Sequence, residues 1–155
     1  MWQKRAARDI KDLIDNGFEV SGENGSKEYN LDTFLVVMHG PKDSPYENNQ
    51  WQIRFTITNT FPFKSPSVGF VQQILHPNVD EASGSICLDS LNKLWSPVFT
   101  LRHVVETILP YLLTYPNADD PLNREAAHLM KTNPNAWTEK VKKHSELNSY
   151  KFKKY

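Results

Sequence analysis

The only cysteine of this 155-residue chain, Cys87, lies in the stretch HPNVDEASGSICLD (residues 76–89), among turn-forming residues rather than in a clear helix or strand. A lone thiol is commonly a small buried hydrophobe. Here Ile86 and Leu88 flank it and could both point inward, which would turn Cys87 outward, while Gly84 and Ser85 permit a tight turn and close approach by another chain. A protease-type cysteine attacks an unactivated amide and needs a histidine or a helix N-terminus beside it to become a thiolate. The nearby residues are instead Asp80, Glu81 and Asp89, which are expected to disfavour the thiolate. Exchange with an already activated thioester asks less of the sulfur, and its product is itself an energised acyl carrier. The final acceptor would be an amine, and carboxylates close by would hold a cationic lysine and take its proton. The acidic setting therefore favours acyl transfer over proteolysis.

The elements that must position this thiol follow from periodicity. Residues 3–15 carry Ala6, Ala7, Ile10, Leu13 and Ile14 at helical spacing, with Asn16-Gly17 as a stop. Strand-like segments follow at 18–21, 33–39, 51–57 and 68–71; in the third, Trp51, Ile53, Phe55 and Ile57 alternate with polar residues. Short turns between them predict an antiparallel meander. Residues 72–99 show neither period, yet Ile74, Ile86, Leu88, Leu91, Leu94 and Trp95 predict an ordered functional loop, with Trp95 in packing. A helix starts at Thr100 as N-cap, with a kink or early end at Pro110; a third starts at Asp120-Pro121, where Asp119 and Asp120 suit the cap and first turn, and runs to about Met130. A fourth runs from Asn133 or Pro134 to about Leu147.

The totals exclude several functions. The 18 basic and 18 acidic residues balance, which argues against specific nucleic-acid binding, and no apolar run is long enough to span a bilayer. One cysteine allows no internal disulfide, so a soluble intracellular chain is expected, as one domain over residues 1–155. His39, His76, His103, His128 and His144 have no ligand-like spacing, so no metal is expected. Local charge is uneven: Lys4, Arg5, Arg8 and Lys11 make the N-terminus basic, and Lys140, Lys142, Lys143, Lys151, Lys153 and Lys154 do so at the C-terminus.

The stretch 76–89, with LWSP (94–97), YPNADDPLN (115–123), GPKDSPYE (40–47) and FPFKSP (61–66), resembles the ubiquitin-conjugating enzymes over about Lys4 to Leu147. The resemblance implies an α+β fold: an N-terminal helix, a four-stranded antiparallel meander, a long ordered active-site loop and three C-terminal helices. It implies that Cys87 receives the ubiquitin C-terminus as a thioester from an activating enzyme, which consumes the ATP, so no cofactor is needed here. Asn78 would stabilise the oxyanion or fix the active-site loop, or simply cap a turn. His76 and Pro77 would be structural, His76 through a hydrogen bond that braces the loop. Asp120 would orient the incoming substrate lysine. Lys4 and Arg5 resemble contacts to the activating enzyme, and Phe63, Ser96 and Pro97 resemble the docking surface for a RING-type ligase. A monomer, cytoplasmic or nuclear, is expected.

Cys87 follows Asn78 by nine positions, one more than in the commonest members, and this, with DEASGS, SPSVGF, Glu106 and Pro110, resembles the branch that ubiquitylates histones and serves the GID/CTLH-type multisubunit ligase. That branch often carries a long acidic tail, whereas this sequence finishes in SYKFKKY. Two alternatives stay open: a non-catalytic ubiquitin-binding variant of the fold, which would lack the thiol, and a carrier of another ubiquitin-like modifier. The usual SUMO-conjugating enzyme differs by an insertion around LNKLWSP.

Overall fold

A computed structural model describes residues 1–151; the basic residues Lys153 and Lys154 lie outside the described residues. Helix α1 (Trp2–Asp15) is followed by strands β1 (Val20–Ser21), β2 (Thr33–His39), β3 (Gln50–Thr56) and β4 (Ser67–Phe70), with a short 3-10 turn, Glu23–Gly25, after β1. The strands form one sheet in the order β1-β2-β3-β4, antiparallel throughout, as the four short-linked segments predict. The alternation in β3 places Trp51, Ile53 and Phe55 on the buried face and leaves Gln52 and Arg54 half-buried on the other. Phe55 stacks on Phe34 of β2 at 5.3 Å between ring centres.

Helix α1 buries Ala6, Ile10 and Leu13, whereas Ala7 and Ile14 of the expected apolar stripe face solvent. Their place is taken by Asp9, a carboxylate only 1% exposed. Its burial is offset by the Arg5 guanidinium at 3.2 Å and by the Leu101 N–H, which donates to it at 3.3 Å. Desolvation still leaves its pKa raised. The pair ties α1 to the start of the next long helix.

That helix consists of α3 (Leu101–His103), a π turn (Val104–Ile108) and α4 (Leu109–Thr114). Thr100 caps it, its hydroxyl accepting from the His103 N–H at 3.3 Å. The disturbance expected at Pro110 takes the form of the π turn, not an end. Proline has no N–H, and its ring crowds the carbonyl four residues earlier, so the helix widens over Val104–Ile108 and then continues.

Three expectations for the stretch around Cys87 need correction. First, it contains a helix, α2 (Leu88–Leu94), with Cys87 at its N-cap position; seven residues are too few for a helical period to stand out. Second, the third expected helix does not start at Asp120. Helix α5 spans Arg124–Thr132 and is capped by Asn123, which accepts from the Ala126 N–H at 3.0 Å, so Asp119 and Asp120 belong to the preceding loop. Third, the close approach at Gly84 is to the chain's own β4. The Phe70 N–H donates to Gly84 O at 2.8 Å, Gly84 has φ +76°, and a Cβ there would lie 2.1 Å from Phe70 O. Helix α6 (Pro134–Asn148), capped by Asn133, follows as expected.

Candidate active site

The loop before Cys87 is a narrow hairpin bound to the sheet. Val79 bridges Ile86, Asp80 N–H donates to Ser85 O at 3.0 Å, and Ser85 bridges Gly69 of β4. Val79 and Ile86 are both buried, and antiparallel register carried one step further sets Asn78 opposite Cys87. Ile86 points inward as expected, but Leu88 is 44% exposed. Cys87 is free and half-buried.

The acidic neighbours do not govern this thiol. The Ser90 backbone N–H and hydroxyl, with a smaller contribution from the Asp89 N–H, hold the Cys87 pKa below its ordinary value against partial desolvation and the Asp89 carboxylate. Asp80 instead accepts from the Ser83 N–H at 2.9 Å and from its hydroxyl, inside the hairpin. The expected disfavouring of the thiolate is therefore overturned. The reason is the short helix missed in the sequence, which has Cys87 at its N-cap position, next to the free N–H groups of its first turn.

His76, Pro77 and Asn78 act as a clamp on the loop that leads into α5. The buried His76 ring bonds Leu112 O through Nε2 at 2.7 Å and accepts the Asn78 N–H on Nδ1 at 3.0 Å. This pattern needs a proton on Nε2 and none on Nδ1. The Pro77 carbonyl accepts from the Leu122 and Asn123 N–H groups, each at 2.9 Å. The Asn78 side chain donates to Asn117 O at 2.8 Å and Asp120 O at 3.3 Å, and its Oδ1 accepts the Asn117 N–H at 2.8 Å. Asp120 is exposed, and its carboxylate has no partner among the described residues, whereas neighbouring Asp119 pairs with Lys131 at 2.7 Å.

Burial pushes the His76 pKa down to about 4 from 6.5. A folded pKa below the unfolded one means that folding favours the neutral ring, so this contribution is complete above pH 6.5 and is lost as pH falls towards about 4. The gap corresponds to about 3 kcal/mol at 1.36 kcal/mol per unit. A His76→Gln variant should lose that part of the acid dependence. Urea midpoints of the two proteins measured from neutral pH down to about 4 should converge on acidification; parallel curves would contradict the assignment.

The ubiquitin-conjugating family profile matches residues 5–145. The chain belongs to the ubiquitin-conjugating enzyme family. It is 47% identical over 143 residues to "Ubiquitin-conjugating enzyme E2-23 kDa" of Triticum aestivum, covering 92% of this chain and 76% of that protein. It is 43% identical over 142 residues to "Ubiquitin-conjugating enzyme E2-24 kDa" of Saccharomyces cerevisiae, covering 92% of this chain and 63% of that one. Among solved structures, a Toxoplasma gondii ubiquitin conjugating enzyme E2 domain superposes with TM-score 0.81 at 28% identity, over 96% of this chain and 99% of that one. Family membership makes the chain a transferase of ubiquitin conjugation, an activity that involves ubiquitin, an activating enzyme and ligases.

For the partner surfaces expected of such an enzyme, the structure separates Lys4 from Arg5. Lys4 is exposed. Arg5 is turned inward: it pairs with Asp9, donates to Phe99 O and lies 5.7 Å from the centre of the Phe61 ring. Its charge is engaged within the fold. Phe63 is 79% exposed and Pro97 is exposed, while Ser96 is half-buried. Trp95 joins their two loops, its indole N–H donating to Pro62 O at 2.8 Å. Val98, 81% exposed beside Pro97, extends this apolar patch and was missed in the sequence, where a single valine in a turn carries no signal.

Proposed function

We propose that Cys87 carries ubiquitin as a thioester and passes it to a substrate lysine with the help of a RING-type ligase. The observation that carries this reading is the half-buried, pKa-lowered thiol at the head of α2, in register with Asn78, whose side chain holds the loop that carries the exposed carboxylate of Asp120, unpaired among the described residues. The Cys87 thiolate attacks the carbonyl of the thioester on the activating enzyme; the new C–S bond forms as the old one breaks, and the other cysteine leaves as a thiolate that takes up a proton. The lysine amine then attacks the carbonyl on Cys87, an amide forms, and the Cys87 thiolate departs. Asp120 orients the lysine and receives its proton. No cofactor takes part, since ATP is consumed by the activating enzyme. The free thiol suits the reducing cytoplasm or nucleus.

Asn78 acts first as the clamp described above; its longer bond, 3.3 Å to Asp120 O, is the donor able to turn towards an oxyanion. Phe63, Pro97 and Val98 form the ligase surface, with Lys4 on the side of the activating enzyme. The finer placement, in the histone-ubiquitylating branch with a GID/CTLH-type ligase, is supported by DEASGS, SPSVGF, Glu106 and Pro110, the last accommodated by the π turn.

The test is a non-reducing gel after incubation with ubiquitin, activating enzyme and ATP. An adduct that thiol reductant removes, and that Cys87→Ala lacks, is expected; no adduct with ubiquitin would sink the proposal, and an adduct formed only with another modifier would replace it. Asp120→Ala should charge normally but discharge to free lysine roughly a hundredfold more slowly. Unchanged discharge at every pH would remove Asp120 from the mechanism.

A further inference from the structure

The loop 117–122 carries two adjacent carboxylates, and they are treated differently. Its backbone is held by the Asn78 side chain at Asn117 and Asp120 and by Pro77 O at Leu122. Asn117 Oδ1 accepts the Asp119 N–H at 3.2 Å, which holds the backbone at Asp119. That side chain reaches the Lys131 ammonium in the last turn of α5 at 2.7 Å. The pair is exposed, 51% at Lys131 and 89% at Asp119, so it adds little to stability. Its consequence is one of charge placement.

The geometry points to Lys131 as a positioning residue for the acceptor lysine: by holding Asp119 against α5 it leaves Asp120 as the single carboxylate offered to the incoming amine. This rests on the reading of Asp120 proposed above. Lys131 is the one charged group that acts appreciably on Asp119 among the described residues, and it holds that carboxyl below its ordinary pKa. Without Lys131, Asp119 is free beside Asp120 and the acceptor ammonium meets two negative charges. A second charge favours the protonated amine, which is not a nucleophile. At roughly 6 Å in water, one extra charge moves the amine by about half a pH unit, or roughly threefold in the reactive fraction at neutral pH.

The experiment preloads the full chain with ubiquitin, stops charging, and follows loss of the thioester to free lysine from neutral to alkaline pH. Lys131→Ala should charge normally, move the pH–rate profile alkaline by about half a unit and discharge roughly threefold more slowly at neutral pH. Lys131→Arg should keep the wild-type profile. In Asp119→Asn/Lys131→Ala the added charge is gone, so the profile should return to that of wild type, which a purely structural role for Lys131 would not produce. A Lys131→Ala profile that does not move, or a double variant that stays shifted, overturns the proposal. Asp120→Ala separates the two claims: if it slows discharge while Lys131→Ala is silent, only the role of Lys131 falls; if it has no effect, the assignment of Asp120 falls first.

Discussion

A Cys87→Ser variant is expected to take up ubiquitin slowly and then hold it through reductant. Oxygen replaces sulfur with little change of volume at a half-buried position, so the fold around it should survive. Two steps change in opposite ways. The serine hydroxyl is much less acidic than a thiol, so the donors from Ser90 that lower the Cys87 pKa do not yield a useful nucleophile from it. Once formed, the oxyester resists lysine because an alkoxide is a far poorer leaving group than a thiolate. Transfer should fall on the order of a thousandfold or more, equivalent to about 4 kcal/mol in the barrier. The measurement is single-turnover discharge of each purified adduct to free lysine, with reductant added in parallel. A serine adduct that reductant removes, or that discharges like the thioester, would place ubiquitin on some other residue.

Replacing Asn78 with alanine is expected to have the second largest effect. The change removes both amide donors and the acceptor for Asn117 N–H, and so frees the loop carrying Asp120. Asn78 itself is only 6% exposed, so its partners are not fully reached by water when it is lost. Stability should drop by about 2 kcal/mol, read as a urea midpoint. Charging should be nearly normal, since thioester exchange asks little of the loop, while discharge to lysine should slow roughly a hundredfold to a thousandfold. Asn78→Asp removes the donors alone. It keeps an acceptor for Asn117 N–H but sets a carboxylate against the carbonyls of Asn117 and Asp120, so stability and discharge should both suffer. Discharge at the wild-type rate in either variant would leave Asn78 without a part in transfer.

Much of the molecule was legible from residue spacing. The period of two in Trp51, Ile53 and Phe55 identified β3 and its buried face, and Thr100 and Asn133 marked two helix starts. These signals are local, because a strand face or a cap depends on residues a few positions apart. The misses share another origin. Helix α2 is too short to show a period, Asn123 rather than Asp120 caps α5, and Asp9 and Arg5 turn inward because each finds its partner on a different part of the chain. Asp80 and Asp89, counted by sequence distance, suggested a suppressed thiolate, and the N–H groups of α2 reversed that sign.

By itself the sequence determined the order of the elements other than α2, the antiparallel meander and the identity of the one thiol, since each depends on side-chain type and short spacing. Tertiary structure alone decided what surrounds that thiol. The hairpin that sets Asn78 across from Cys87, the clamp on the loop of Asp120 and the pairing of Asp119 with Lys131 join residues far apart in the chain, and electrostatic and hydrogen-bond energies depend on distance in space.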